Sequence, residues 1–505
     1  MGSMVLEDKA SMYGPGVRRI DSKEEINVTY QNRFTLFDEA NVPRPVLQTK
    51  TIKTERKVPR VGVMLVGLGG NNGSTFTAGI VANRDKLSWL TKNGEQKANF
   101  YGSFTQSATA HCGFRHDQKT GSLKDVYKPI KELLPMVDPV DFEIGGWDIN
   151  SANLYEAALR AKVLEPMLLQ QLRGDLEKIV PLPAALNPSY IAENQSSRAD
   201  NVMTGTNREL IEAIKGHIRE MKTRTDKVVL LWTANTEMFL LPEINALDDL
   251  KTRIEQNESL PASVLYCIAS IEEQVLYLNG SPQNTFHPAI IEYARQKGGL
   301  LGGSDFKSGQ TRFKTIMSDF LIGSGIRLAG CVSYNHLGNN DGKNLQEDKC
   351  FQSKKKTKAG VLDDAMAGNE MLYPRGQDHI DHEVVIKYVP FVGDSKRALD
   401  EYSSEIFLGG TQTISAYNVC EDSLLATPLM YDMIVLGELF SRMEIDGERL
   451  GPVLSYLSFF FKAPLTNHDE YVINSFSRQR ETLINLLKIA AGILPDDASL
   501  IAFKF

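Results

Sequence analysis

The first 58 residues mix charged, polar and isolated apolar positions without a sustained helical period, which predicts an extended arm with short strands. The texture breaks at Val61-Gly62-Val63-Met64-Leu65-Val66, a compact apolar run of the kind that forms a parallel strand buried on both faces. A glycine-rich turn follows, and a helix-like stretch runs on through Ala82. Further strand-like runs at 141–144, 228–232, 275–278 and 300–303 alternate with helix-like stretches such as 153–162 and 208–224. Such alternation predicts an α/β unit whose parallel sheet is joined by right-handed crossovers.

From about residue 312 the spacing changes. Strand-like runs at 329–334, 383–389 and 412–418, with one helix over 396–408, predict a mixed α+β insert. After 426 long helical patterns return at 428–442, 452–461 and 479–491. There is no internal repeat, and 354–358 is the only low-complexity tract, a run that could be a mobile basic loop.

Composition narrows the classes. A chain of 505 residues with 42% hydrophobic and 24% charged positions reads as an ordinary globular protein of two to four domains. A net charge of -7 argues against nucleic-acid binding, while a local lysine cluster could still hold an anionic substrate. No uninterrupted apolar run of about 18 residues predicts a membrane span. The start, Met1-Gly2-Ser3-Met4, lacks a signal-peptide pattern and reads as an expression scar. The five scattered cysteines form no C-x-x-C pair, so a reducing, cytoplasmic setting fits better than a disulfide or zinc framework.

Four groups of residues carry candidate chemistry. Gly67, Gly69 and Gly70 with Asn71 and Asn72 sit between a strand and a helix, where backbone amides can approach a pyrophosphate. The pattern has Asn72 where the usual dinucleotide fingerprint has its third glycine. It also has no acidic residue around 101–106 to take the ribose hydroxyls, and a turn that binds nothing is the bland alternative. Next, Ser308, Gly309, Gln310 and Thr311 open a helix whose free amides and hydroxyls could hold a phosphate, although Ser308 could merely cap it. Third come Lys354, Lys358, Lys396 and Lys462. An apolar neighbourhood could bring Lys462 toward neutrality and suit it to proton transfer, against the common fate of a solvated lysine. Last, Asn335, His336, 339–342 and 421–423 supply amides and carboxylates. An ordinary surface turn is the default reading for 339–342, a general acid or a merely satisfied polar group for His336, and a hard cation held by oxygen ligands stays open.

The motifs at 67–75, 145–148, 231–237, 279–285, 333–342 and 420–425, in that order, closely resemble the eukaryotic myo-inositol-1-phosphate synthase family. The resemblance runs from about residue 58 to the end and is weak before that. It implies a Rossmann-type NAD-binding domain (60–311 and 426–505) behind an N-terminal arm (1–59). The resemblance also implies that this domain is interrupted by an α+β catalytic and tetramerisation domain (312–425), and that the protein is a homotetramer. By motif position it implies catalytic roles for Lys354, Lys358, Lys396, Lys462, Asp305, Asp341 and Asp422. The cofactor set adds Asp148, Gln195, Arg198, Thr233, Ala234, Asn235, Thr236 and Gly280 to the glycine turn, together with Asn339, Asn340, Asp394 and Ser423. Asn335 and Asn339 join 308–311 at the substrate. Two departures stand out: the family's loop pattern around Lys354 and Lys358 is here a lysine run, and 111–126 differs and reads as a surface loop.

The implied reaction turns D-glucose 6-phosphate into 1D-myo-inositol 3-phosphate. NAD-dependent oxidation at C5 precedes enolisation, attack of C6 on the C1 aldehyde and reduction by the same cofactor. Every step builds negative charge on oxygen, which explains a demand for several fixed ammonium groups. The rival readings are an NAD-linked sugar-phosphate dehydrogenase that releases NADH and a non-catalytic nucleotide-binding regulator.

Overall fold

The computed structural model describes residues 13–14, 16–374, 379–467 and 475–495. Its centre is a six-stranded, all-parallel sheet with the spatial order Leu182–Pro183, Glu143–Asp148, Val61–Val66, Lys227–Trp232, Leu276–Asn279, Leu301–Gly303. Numbered along the chain this is 3-2-1-4-5-6, the Rossmann order, whose direction reverses between the first and fourth strands. All six residues of Val61–Val66 are buried, as a strand covered on both faces requires. One face packs against the helices Asn71–Arg84 and Asp422–Phe440, and Phe476–Ala490 extends the same core toward the arm strands Glu25–Phe37 and Pro43–Glu55. The other packs against Asn207–Lys222, Ala262–Glu272 and Pro288–Lys297. Asn207–Lys222 starts in a Thr206/Glu209 capping box and buries Ile211, Ile214, Ile218 and Met221, a one-face spacing. Each such side chain contributes about 1.5–3 kcal/mol on burial.

Strand register decides where the chemistry gathers. Val66 lies level with both Trp147 and Trp232, Trp232 with Asn279, and Asn279 with Gly303. The turns that follow these five residues therefore leave the sheet along one edge.

The insert is a four-stranded mixed sheet ordered Asp381–Tyr388, Arg327–Leu337, Ser395–Ile406, Gly410–Glu421. The helix expected over 396–408 is instead the strand Ser395–Ile406. Its buried residues Ala398, Asp400, Tyr402 and Ser404 alternate with more exposed ones, a period of two. Its polar, helix-tolerant composition hides that alternation. Both expected limits of the insert, 312 and 425, fall inside continuous helices, Gly309–Gly323 and Asp422–Phe440.

Other expectations shift in the same way. Beside the short strands Tyr13–Gly14 and Val17–Asp21, the arm holds two strands of 13 residues, Glu25–Phe37 and Pro43–Glu55, which pair along their whole length. The strand expected at 141–144 begins two residues later, after a 3-10 turn at Pro139–Asp141. Instead of a long helix, 452–461 holds only a 3-10 stretch, Ser455–Phe460. The basic run 354–358 lies within the helix Asp348–Ala367 rather than in a loop. The divergent stretch 111–126 is largely a hairpin, Thr109–His116 with Leu123–Pro129. Among the described residues one helix, Asp422–Phe440, is long and apolar enough to cross a membrane, yet 89% of its apolar window is buried inside the molecule.

Candidate active site

The cleft lies at the carboxyl edge of the parallel sheet, over the point where strand order reverses, and the insert closes it.

On the sheet side the glycine turn is shaped by contact. Gly67 has φ +95°, and a Cβ there would stand 2.8 Å from the Ala234 backbone. A Cβ on Gly73 would stand 2.3 Å from the Leu68 carbonyl oxygen. Gly70 is the residue before the Asn71–Arg84 helix and offers no capping side chain, so the first amides of that helix stay available to an anion.

No acidic residue stands near 101–106, but one, Asp148, stands at a strand end beside the glycine turn. The stretch 104–107 is a short helix, and two hairpins intervene before the neighbouring strand of the sheet, which ends in Asp148. The Gly69 N–H donates to its Oδ2 (2.9 Å), and burial holds the carboxyl above its usual range. Beside it the half-buried Arg198, its Nε buried and unpartnered, lines the cleft, and Arg160 donates to the Gly69 carbonyl (3.0 Å). A contoured glycine turn, open helix amides, a strand-end carboxylate and an orphaned guanidinium together fit a dinucleotide.

Thr233, Ala234, Asn235, Thr236 and Gly280 leave the next two strands and line the same wall. Asn340 reaches them from the insert. Its Nδ2 donates to Gln195 Oε1 (3.0 Å) and Asn235 Oδ1 (3.2 Å), while Asn235 Nδ2 donates to the same Gln195 oxygen (3.0 Å). Gln195 thus sits fully buried behind the wall as a clasp. Asp394 is a second clasp. It accepts from the Ser423 N–H (2.8 Å), the Ser423 hydroxyl (2.9 Å) and Asn71 Nδ2 (3.2 Å). Burial and the neighbouring Asp422 push its carboxyl upward.

The reactive end centres on Asp305, which follows the last strand with φ +62° and is 2% exposed. Its Oδ1 accepts from Lys354 Nζ and from Lys462 Nζ, each at 3.1 Å. Burial opposes charge on all three groups, yet the two lysines hold Asp305 below its usual value, and Asp305 with Asp341 raises Lys354. Lys462 goes the other way. Burial dominates, Lys354 and Lys396 add repulsion, and its amine is brought down to about 7 despite Asp305. Lys396 Nζ lies 3.9 Å from Asp422 Oδ1, and Thr236 Oγ1 donates to Asp341 Oδ1 (3.4 Å). Ser308, Thr311 and Asn339 complete the lining. Ser308 occupies the N-cap position of Gly309–Gly323 without a capping hydrogen bond, so its hydroxyl is not spent on the helix.

Some expected site residues stand apart. Gln310 turns to Asp400 (2.5 Å), and Asn335 donates to the Val385 carbonyl (3.2 Å) with its amide oxygen unpartnered; neither lines the cleft. His336 is exposed on the far face of the insert sheet, which removes it as a general acid. The Lys358 side chain lies outside the described residues. Among the described residues no group of three or more His, Cys, Asp or Glu is arranged to hold a metal ion. Glu237 was not foreseen. It lines the cleft, accepts from the Ala262 (2.9 Å) and Ser263 (3.1 Å) amides, and is pushed up to about 7 by burial. Only the fold buries it, so composition carried no signal for it.

A sequence profile described as Myo-inositol-1-phosphate synthase, of the NAD-binding type, matches residues 61–488. The chain belongs to the myo-inositol-1-phosphate synthase family. It is 47% identical over 511 residues to inositol-3-phosphate synthase 1 of Oryza sativa subsp. japonica, covering 99% of each chain. Against the Dictyostelium discoideum inositol-3-phosphate synthase it is 46% identical, over 96% of this chain and 97% of that one. The likeness to the rice protein thus extends through the N-terminal arm, beyond the profile match. The crystal structure of Caenorhabditis elegans inositol-3-phosphate synthase superposes with a TM-score of 0.92 at 42% identity, covering 98% of both chains.

Proposed function

We propose that this chain converts D-glucose 6-phosphate to 1D-myo-inositol 3-phosphate with NAD as a recycled cofactor. The observation that carries the reading is Asp305 bridging Lys354 and Lys462 beside a dinucleotide cleft, with one lysine held near neutrality. Bound NAD supplies a hydride acceptor at C5 of the sugar and returns that hydride later, so the reaction is redox-neutral. The glycine turn, Asp148, Arg198 and the 233–236 wall would hold it.

The uncharged Lys462 Nζ is suited to take a proton, and the charged Lys354 Nζ to stabilise an oxyanion, around C5 and C1. Lys396 with the Ser308 to Thr311 helix start is suited to a phosphate, and Lys358, four residues after Lys354, is assigned there with them. Asp341 and Asp422 orient the lysines and the cofactor. An enzyme that only removed hydride and released NADH would need a base for the hydroxyl proton, but not the whole lysine set.

The functional units in this reading are an arm (1–59), a cofactor domain (60–311 and 426–505) and a catalytic and assembly insert (312–425). The molecule is a cytoplasmic homotetramer. Support for assembly comes from the outer face of the insert sheet. Val385, Tyr334, Leu399 and Tyr417 form one directly paired row across its four strands, 36%, 42%, 37% and 65% exposed. Such an apolar row calls for a partner surface.

The test incubates purified protein with NAD and glucose 6-phosphate while inositol phosphate and reduced nicotinamide are followed together. Inositol phosphate without matching NADH is the expected result. Accumulating NADH with an open-chain or lactone product would replace the reading with a dehydrogenase, and no turnover with a nucleotide-binding regulator.

A further inference from the structure

The polar layer between the Gly309–Gly323 helix and the insert sheet contains buried groups for which the chemistry above has no use. Asp400 is 2% exposed, and its Oδ1 accepts from Gln310 Nε2 at 2.5 Å. Its Oδ2 accepts from the hydroxyl of Tyr402, itself 0% exposed, at 3.1 Å. One helical turn beyond Gln310, Lys314 Nζ lies 2.6 Å from Ser333 Oγ and 2.9 Å from His382 Nε2. Ser333 is the cross-strand partner of Asp400, so the ammonium and the carboxylate share the helix-facing side of the sheet.

We propose that Asp400 is a positioning residue, which, through Gln310, fixes the helix start at Ser308 and Thr311 for the substrate phosphate. This rests on the substrate assigned above. Gln310 lies between Ser308 and Thr311, both of which line the cleft, so anchoring its side chain sets the direction of the amides around it. Asp400 also sits four residues along the same strand from Lys396, a cleft cation, so one carboxylate ties the helix start to the strand that carries Lys396. Burying a carboxylate is costly unless it is well bonded, and a purely structural contact between helix and sheet would be cheaper with apolar groups. The glycine turn and Asp148 belong to other elements, so cofactor binding does not depend on this link.

The experiment measures Asp400→Asn, Asp400→Leu, Gln310→Ala and Gln310→Ala/Asp400→Asn as full-length protein. It reads the glucose 6-phosphate dissociation constant by calorimetry with NADH in place of NAD, so that the sugar is not consumed, together with KM and kcat, the NAD dissociation constant and the melting temperature. The expected result is that Asp400→Asn weakens glucose 6-phosphate binding and raises KM at least tenfold, with NAD affinity kept within twofold. The double variant should bind no worse than Gln310→Ala alone, because the carboxylate acts through that amide. Unchanged glucose 6-phosphate affinity would overturn the inference, as would a multiplicative double variant or parallel losses of NAD and sugar-phosphate affinity. Should Asp400→Leu fail to fold, Asp400→Asn and the double variant still decide. Direct binding separates the two layers: a wild-type protein that binds glucose 6-phosphate without turning it over would sink the activity, while the binding comparison among variants still judges Asp400.

Discussion

Lys462 Nζ stands 3.1 Å from Asp305 Oδ1, and the neighbouring Lys354 Nζ stands equally far from the same oxygen. One buried carboxylate thus serves two amines, and it cannot neutralise both fully. The outcome is division of labour, one lysine kept charged and the other brought to about 7.

The first consequence is a pH signature. A general base at Lys462 works as the free amine, so kcat should rise tenfold per pH unit below about 7 and level off above it. Lys462→Ala should lose turnover and keep NAD binding. Stability follows the same group. Its folded value is depressed, so between pH 7 and 10.5 the unfolded chain holds the extra proton and stability rises with pH through that window. Chemical unfolding of Lys462→Met should lack that slope; an unchanged slope, or a pH-independent kcat in the wild type, would count against the assignment.

Asp305→Asn removes the shared counter-charge. Breaking a buried ion pair on one side costs about 3–5 kcal/mol, because the remaining charge is left desolvated. The variant should melt at a clearly lower temperature and lose on the order of 100-fold or more in kcat. Normal melting together with normal turnover would show that the bridge is dispensable.

Gly73→Ala tests the turn. The added Cβ would meet backbone oxygen of Leu68 at 2.3 Å and of Gly67 at 2.6 Å, neither of which belongs to a flexible side chain. NAD affinity should fall by about two orders of magnitude or more, since the pyrophosphate amides lose their aim. Gly94→Ala, at an open hairpin with nothing within 4 Å of the new Cβ, should leave NAD affinity intact.

The apolar row on the insert sheet predicts assembly. Tyr334→Lys with Leu399→Glu places charges on adjacent, directly paired positions of that face. Sedimentation should find the wild type as a tetramer and the double variant as smaller species at the same concentration. A wild type that sediments as a monomer, or a double variant that stays tetrameric, would exclude this face as the contact.

How much was legible beforehand depended on the range of the interaction. Strand, glycine turn and helix at 61–82 follow from local rules: an apolar run, residues that tolerate close backbone approach, and a helix that needs no capping side chain. The ordered motifs pointed to the family, and with it to most residues of the cleft. Local composition failed where burial decides. Ser395–Ile406 reads as a helix until its alternating face meets the Gly309–Gly323 helix, and local spacing does not lead from the glycine turn to Asp148 because two hairpins separate its strand from the first. The tertiary structure alone determines that Asp305, Lys354 and Lys462 share one oxygen. These residues come from the end of a sheet strand, a helix of the insert and the segment after Phe461, brought together by register and by burial over more than a hundred residues of chain. The same burial makes Lys462 a near-neutral amine, a property that no neighbour in the sequence confers.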